Sequence, residues 1–339
     1  MNDDDALRFA AERGVFRYPV PTPFAVGPMN AYLIEDEPLT LIDSGPNSAL
    51  SLDVLERGLA ERGHAFADLK LLIITHQHAD HLGLADVLAR RCDAEVAAFG
   101  PLGNWLDRFH DQMELDDRFA VNIMLRHGVS REVTTALRAV TAMARAFGSH
   151  VHVTRPLLDG DVVELAGRRL YVYHRPGHSP SDIVFHDPEH DLLLAGDHLL
   201  GRISSNPVIT RPLDADEELD VPRPRALMTY IDSMKRSAEL DATVVLGGHG
   251  PPITDHRALI AERLDMHERR AEKIHGILLE HGPMTAHAIA TTMWGRVALT
   301  QAYLTLSEVI GHLDLLVADG RAREIAGEEL TEFEALAPS

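Results

Sequence analysis

His76, His78, Asp80 and His81 place four potential metal ligands within six residues. Imidazole nitrogen and carboxylate oxygen suit Zn(II), Fe(II) or Mn(II). Cys92 is the only cysteine, which removes thiolate-rich sites and any intramolecular disulfide. Histidines two apart, followed at once by Asp and His, can meet one ion only where the backbone is irregular. The continuous apolar run Leu71-Leu72-Ile73-Ile74 just before them reads as a strand buried on both faces. The loop that ends such a strand supplies the geometry. With 20 histidines in the chain, most must be bystanders.

The elements around this loop are legible from periodicity. After a short helical start, Tyr32-Leu33-Ile34-Glu35 and Leu39-Thr40-Leu41-Ile42 read as strands, closed by Asp43-Ser44-Gly45-Pro46. Residues 49–62 carry apolar positions at helical spacing, residues 82–91 form the next helix, and a strand is expected around 96–98. Further strands are expected at 162–165, 169–173, 182–186, 192–195 and 243–246, with a Pro-rich loop and a helix over 226–240 before the last. Between 103 and 148 the pattern is helical instead, broken at Gly128. Beyond Pro252 the chain becomes strand-poor. A long helix over 256–281 stops at Gly282-Pro283, and a short helix, a longer one over 299–318 and a Gly-containing hairpin follow.

The run Thr75-His76-Gln77-His78-Ala79-Asp80-His81 resembles the signature of the metallo-β-lactamase superfamily, and four more motifs follow the family's order. These are Leu41-Ile42-Asp43-Ser44-Gly45, Arg175-Pro176-Gly177-His178-Ser179, Leu194-Ala195-Gly196-Asp197 and Gly247-Gly248-His249-Gly250-Pro251. The resemblance spans about residues 16 to 255. It implies an α+β fold, the four-layer αβ/βα metallo-β-lactamase sandwich, carrying a helical insertion and a C-terminal winged-helix-like unit. The expected division is residues 1–255 for the catalytic domain and 256–339 for the C-terminal domain.

Carried over position by position, the resemblance implies one metal held by His76, His78 and His178. A second is held by Asp80, His81 and His249, with Asp197 bridging both. Zinc is the expected ion, with iron and manganese as alternatives. Asp43 is expected to orient a ligand histidine or its loop, with a strand-end turn cap as the competing reading. The implied reaction is attack of a metal-bridging hydroxide on a thioester, lactone or ester carbonyl, as in glyoxalase-II-like thioesterases and acyl-homoserine lactonases. Asp80 is assigned a double role, as ligand and as the group that orients or shuttles the proton. The alternatives are phosphodiester or RNA cleavage by the same metals, and a mononuclear-iron persulfide dioxygenase.

Charge narrows the partners. The formal net charge of -20 repels phosphate backbones and anionic lipid, so nucleic acid and membrane are disfavoured. The N-terminus Met-Asn-Asp-Asp-Asp is acidic where a secretory signal is basic, and no stretch approaches the about 20 apolar residues of a membrane span. A cytoplasmic enzyme with a small-molecule acyl substrate is expected, and a homo-oligomer is left open.

The insertion at 103–148 reads in two ways. Trp105, Phe109, Met113, Phe119 and Met124 could line an acyl pocket beside the metals, or could be the buried faces of docked helices. The C-terminal unit resembles the winged helix appended to the β-lactamase-like protein 2 group. Its Glu-rich tail argues for structural packing over nucleic-acid binding. His198 reads as an exposed loop histidine beside the site and His174 as structural. His110, His127, His150, His152, His186, His190, His267, His275, His281, His287 and His312 read as surface or core residues.

Overall fold

The computed structural model describes residues 1–215 and 217–336; the last three residues of the expected C-terminal unit lie outside them. The first half of the chain runs α1 (Asp3–Ala11), β1 (Val15–Val20), β2 (Met29–Ile34), β3 (Thr40–Ile42), α2 (Ala49–Glu61), β4 (Leu71–Ile73), α3 (Ala79–Leu82), α4 (Ala85–Cys92) and β5 (Glu95–Phe99). The helical insertion follows as α5 (Gly103–Asp107), α6 (Phe109–Arg126) and α7 (Arg131–Ala144), and β6 (Arg155–Leu157) closes the first sheet. That sheet has six strands in the order β1-β2-β3-β4-β5-β6, antiparallel as far as β3 and parallel from there on.

The second sheet is built from β7 (Val162–Glu164), β8 (Arg169–His174), β9 (Ile183–Asp187), β10 (Leu192–Gly196) and, after α8 (Ala226–Ala238), β11 (Val244–Gly247). Its order is β11-β10-β9-β8-β7, with only the β10–β11 pair parallel. Strand alternation explains why the two sheets stack. Ile183, Phe185, Leu192, Leu194, Val244 and Leu246 face the core shared with Leu33, Ile42 and Ile73 of the first sheet. The intervening Val184, Leu193 and Val245 face the other way, against Leu227, Tyr230 and Met234 of α8. Strands buried on both faces read as continuous apolar runs, which is what the sequence carries. Each fully buried leucine of this kind contributes about 1.5–3 kcal/mol. Outer helices α2 and α4 add Leu55, Leu59 and Leu88 to the same core, completing the helix–sheet–sheet–helix sandwich.

The C-terminal unit begins with α9 (His256–His281), whose first turn is capped by the Asp255 side chain and whose end is set by Gly282 at φ 77°. There follow β12 (Met284–Thr285), α10 (Ala286–Trp294), α11 (Val297–Thr300), α12 (Ala302–Ala318), β13 (Ala322–Ala326) and β14 (Thr331–Ala335). The terminal hairpin is joined by β12 into a three-stranded antiparallel sheet, order β12-β14-β13. These helices share one apolar core with the insertion: Phe119, Met124 and Val129 pack with Ile274, Ile289, Leu306 and Leu313.

Three differences from the sequence reading have simple causes. Strand β1 was not expected, because Tyr18-Pro19 and Arg17 interrupt its apolar alternation. Strand β6 is three residues long and contains Pro156, too short for any period to show. The helix expected over 82–91 begins at Ala85, as α4, and the short α3 before it ends at Leu82; at Gly83 between them a Cβ would lie 2.2 Å from backbone atoms of Asn47 and Phe147.

Candidate metal centre

Strand ends gather the candidate ligands. Strand β4 ends at Ile73, and the loop through Thr75, His76, Gln77 and His78 leads into α3, which carries Asp80 and His81. His178 lies in the turn between β8 and β9, Asp197 follows the end of β10, and His249 follows β11. Because β3 and β4, like β10 and β11, run parallel, their C-terminal ends share a rim. A backbone link crosses that rim: the Asn30 amide donates to Gly248 O at 2.7 Å, and Asn30 Nδ2 donates to the carbonyls of Gly247 and Gly250.

Seven side chains expected from the sequence converge. Nδ1 of His78 lies 3.0 Å from Nε2 of His76 and 3.0 Å from Nε2 of His178. Nε2 of His249 lies 3.3 Å from Asp80 Oδ2, and Asp80, His81 and His249 form a second cluster. Asp197 touches both: Oδ2 is 3.6 Å from His178 Nε2 and 3.6 Å from His249 Nε2, and Oδ1 is 3.4 Å from His81 Nε2.

The outer nitrogens of four rings are engaged. Nδ1 of His81 meets Asp43 Oδ2 at 2.7 Å, and Nδ1 of His249 donates to Pro28 O at 2.9 Å. Nδ1 of His178 donates to Asn206 O at 3.1 Å, and Nδ1 of His76 lies 3.0 Å from Thr75 Oγ1. Such partners fix the tautomer and leave an Nε2 lone pair facing inward. Nε2 of His76 and of His178 meet only His78, and His81 Nε2, His249 Nε2 and Asp197 Oδ1 are buried without a hydrogen-bond partner. Orphaned lone pairs aimed at one another are costly unless a cation lies among them.

The electrostatics agree. Burial, followed by the neighbouring rings His81 and His78, holds His76 well below its ordinary value, and burial with His178 pushes His78 down to about 3. Burial also opposes charge on His81, but the Asp197 and Asp43 carboxylates outweigh it and hold that ring well above the usual range. Asp197 is penalised by burial yet kept well below the ordinary carboxylate range by His81, His249 and His178. Three buried carboxylates, Asp43, Asp80 and Asp197, thus share one buried cluster with His76 and His78, whose rings burial keeps neutral, a setting that suits divalent cations.

Gly248 makes room for this packing. A Cβ there would stand 2.2 Å from Asp197 Oδ1 and 2.7 Å from His81 Cε1. Asp43 adopts φ 59°, a left-handed conformation that Asp tolerates better than most residues, and this lets its carboxylate turn back to Thr75 and His81.

Several supporting residues were not singled out from sequence. Asn30 and Tyr32 anchor the Gly247 turn, Tyr32 donating to Gly247 O at 2.7 Å; a polar Asn within an apolar strand was the available signal. Asp182 accepts the Ser179 amide at 2.6 Å beneath His178, and burial pushes its carboxyl up to about 7. His198 is not an exposed loop histidine: it is fully buried, its Nε2 2.9 Å from Ser237 Oγ, because the chain turns under α8 immediately after Asp197. His127, His186, His267, His275 and His312 are core residues, and His110, His150, His152 and His281 are exposed. His267 and His312 also approach Glu308, but Arg270 already occupies that carboxylate.

Of the five apolar insertion residues, Trp105, Met113 and Met124 face a cavity beside His78, whereas Phe109 and Phe119 are buried in the two cores. The insertion therefore both docks and lines. No helix among the described residues is long and apolar enough to cross a membrane.

Comparison with known proteins places the chain among metallo-hydrolases of one superfamily. Residues 25–249 match the profile of the family described as the metallo-beta-lactamase superfamily. A probable metallo-hydrolase of Bacillus subtilis, YqjP, is 34% identical over 303 residues, 88% of this chain and 91% of that protein. The bovine acyl-coenzyme A thioesterase MBLAC2 is 31% identical over 150 residues, 42% of this chain and 46% of that protein. Among solved structures, the metallo-beta-lactamase family protein TTHA1429 of Thermus thermophilus superposes with a TM-score of 0.76 at 27% identity, over 95% of this chain and 99% of the other.

Proposed function

This chain belongs to the metallo-beta-lactamase superfamily, and from that premise we propose that it is a binuclear metal-dependent hydrolase of acyl substrates, cleaving a thioester, lactone or ester. The observation that carries the reading is the position of Asp197, within 3.6 Å of both His178 and His249. One carboxylate reaching two ligand clusters is what a two-metal site needs, and a mononuclear site has no use for the second cluster.

The donors fit divalent ions of the zinc type, being neutral imidazoles and carboxylates with orphaned inward lone pairs. His76, His78 and His178 would hold one ion, Asp80, His81 and His249 the other, and Asp197 both. When bound, such ions acidify water and polarise a carbonyl oxygen, each effect worth several kcal/mol of barrier. The chain's own residues do the rest. Asp43, Asn206 O, Pro28 O and Thr75 hold the four rings in orientation from behind. Asp80 is kept ionised, His249 and His81 overcoming its burial, so its carboxylate serves as an anionic ligand and as a hydrogen-bond acceptor that orients the attacking water's proton.

A carbonyl substrate is favoured over a phosphodiester by the apolar cavity beside His78 and by the net charge of -20. The thioesterase named among the relatives points the same way. The C-terminal unit, residues 256–339, is read as a winged-helix-like domain packing on the catalytic domain, with no nucleic-acid role.

Metal analysis of unsupplemented protein, with a panel of coenzyme A and glutathione thioesters, homoserine lactones and bis-p-nitrophenyl phosphate, tests the reading. Two divalent ions per chain and turnover of a carbonyl substrate are expected. One iron per chain, or turnover of the phosphodiester alone, would overturn it.

A further inference from the structure

The cavity beside His78 has a volume of about 370 Å³, within the usual range for small-molecule sites, and it reaches the histidine cluster at Gln77, His78 and Ala79. Its walls come from distant parts of the chain. Trp105, Met113 and Met124 belong to the insertion, Leu137 to α7, and Ala302 and Leu304 to α12 of the C-terminal unit.

Charged side chains that also border it already have opposite partners. Asp116 accepts from Arg211 Nε at 2.9 Å and from Trp105 Nε1 at 3.1 Å. Asp117 pairs with Arg145, and Arg138 with Glu114. A charged group entering here would displace one of these pairs, and beyond Gln77 at the His78 end the mainly apolar wall would leave most of a peptide-like group's hydrogen bonds to water uncompensated. An aliphatic chain would lose nothing and remove apolar surface from water.

Resting on the hydrolase reading above, we infer that this cavity takes the unbranched aliphatic chain of the acyl group, and that residues 300–304 of the C-terminal unit set the chain length accepted. With its carbonyl at the metal ligands, a chain passing His78 runs between α6 and α7 toward the α11–α12 corner. That corner is held in place: Tyr303 donates its hydroxyl to Ile209 O, and Asn206 Nδ2 donates to Leu304 O at 3.2 Å. Asn206 also receives His178 Nδ1 on its carbonyl, so one residue joins the ligand cluster to the cavity's far wall. A methylene occupies about as much space as a liquid water molecule, roughly 30 Å³, so the cavity admits on the order of ten methylenes. The C-terminal unit thereby becomes part of the substrate site.

The test uses the full zinc-loaded chain and saturated acyl-coenzyme A thioesters from acetyl to hexadecanoyl. kcat/KM should rise by up to about fourfold per methylene until the cavity is full, then level off. Leu304→Trp, at a position 41% exposed and so tolerant of size, should lower the dodecanoyl-to-acetyl ratio of kcat/KM at least tenfold. A second arm needs no catalysis: in a Trp294→Phe background, dodecan-1-ol and butan-1-ol are titrated against the fluorescence of Trp105. Dodecanol should bind far more tightly, and in that background Leu304→Tyr, which adds bulk without a second indole, should weaken it at least tenfold. Turnover without chain-length dependence, and no preference for dodecanol, would overturn the cavity assignment and leave the hydrolase reading standing. Length-dependent alcohol binding without turnover of any acyl compound would do the reverse.

Discussion

The carboxylate of Asp43 ties two ends of the histidine loop together: Oδ2 lies 2.7 Å from Nδ1 of His81, while Oδ1 accepts the Thr75 amide at 2.9 Å. Asp43 follows β3, Thr75 follows β4, and His81 sits on α3, so one side chain fixes the register between the strands and the ligand-bearing helix.

Replacing Asp43 with Asn tests that linkage. Asn tolerates the left-handed backbone at this position, so the fold should persist. The amide cannot stabilise the His81 ring as the carboxylate does. Zinc affinity, measured by competition with a chromophoric chelator, should fall about 10–100-fold. Wild-type affinity would show that Asp43 is a turn cap and nothing more.

Asp197→Ala should abolish turnover of any carbonyl substrate and reduce the metal content below two ions per chain, while circular dichroism stays unchanged. The side chain contacts His81, His178 and His249 together, so its loss opens both clusters at once. Retained turnover would refute the bridging role.

Gly248→Ala is the smallest change that should disable the centre. The new methyl group would stand 2.2 Å from Asp197 Oδ1, so either the carboxylate or the loop must move. A shift of about 1 Å in a catalytic group can cost on the order of 100-fold in rate. Activity and metal content should therefore drop together, with little change in the unfolding midpoint of the metal-free protein. Normal metal content would contradict the crowding argument.

Stability should fall on mild acidification. Burial lowers His127 to about 3 and His312 to about 4, so both rings are neutral in the folded chain. In the unfolded chain they take up protons near pH 6.5. Their contribution is complete above that pH and is lost as pH falls toward the folded values. Each costs about 2 kcal/mol of stability by pH 5. Urea midpoints between pH 7.5 and 5 measure this, and His127→Leu should flatten the profile by about one proton's worth. An unchanged slope would mean that His127 is protonated in the fold.

Much of the centre could be read along the chain because its chemistry sits at strand ends. Continuous apolar runs mark the buried strands β4, β9, β10 and β11, and polar residues of ligand type fall at or near their termini. On that local pattern, the resemblance to the metallo-β-lactamase motifs named His76, His78, Asp80, His81, His178, Asp197 and His249. It failed where the period was short or broken, at β1 and β6, and where exposure depended on what packs above a loop, at His198.

By itself, then, the sequence determined which donors exist and on which strand ends they stand, since residue type and alternation are local properties. Tertiary structure decided what those donors face. Pro28 O, Asp43 and Asn206 O, remote in sequence from the rings they hold, accept from Nδ1 of His249, His81 and His178 and so turn the Nε2 of those three rings inward. His78 and His178 meet 3.0 Å apart across a separation of 100 residues. The same holds for the cavity. Leu304 and Met113 share a wall only because the insertion and the C-terminal helices bury one common core, a pairing that no periodicity along the chain encodes.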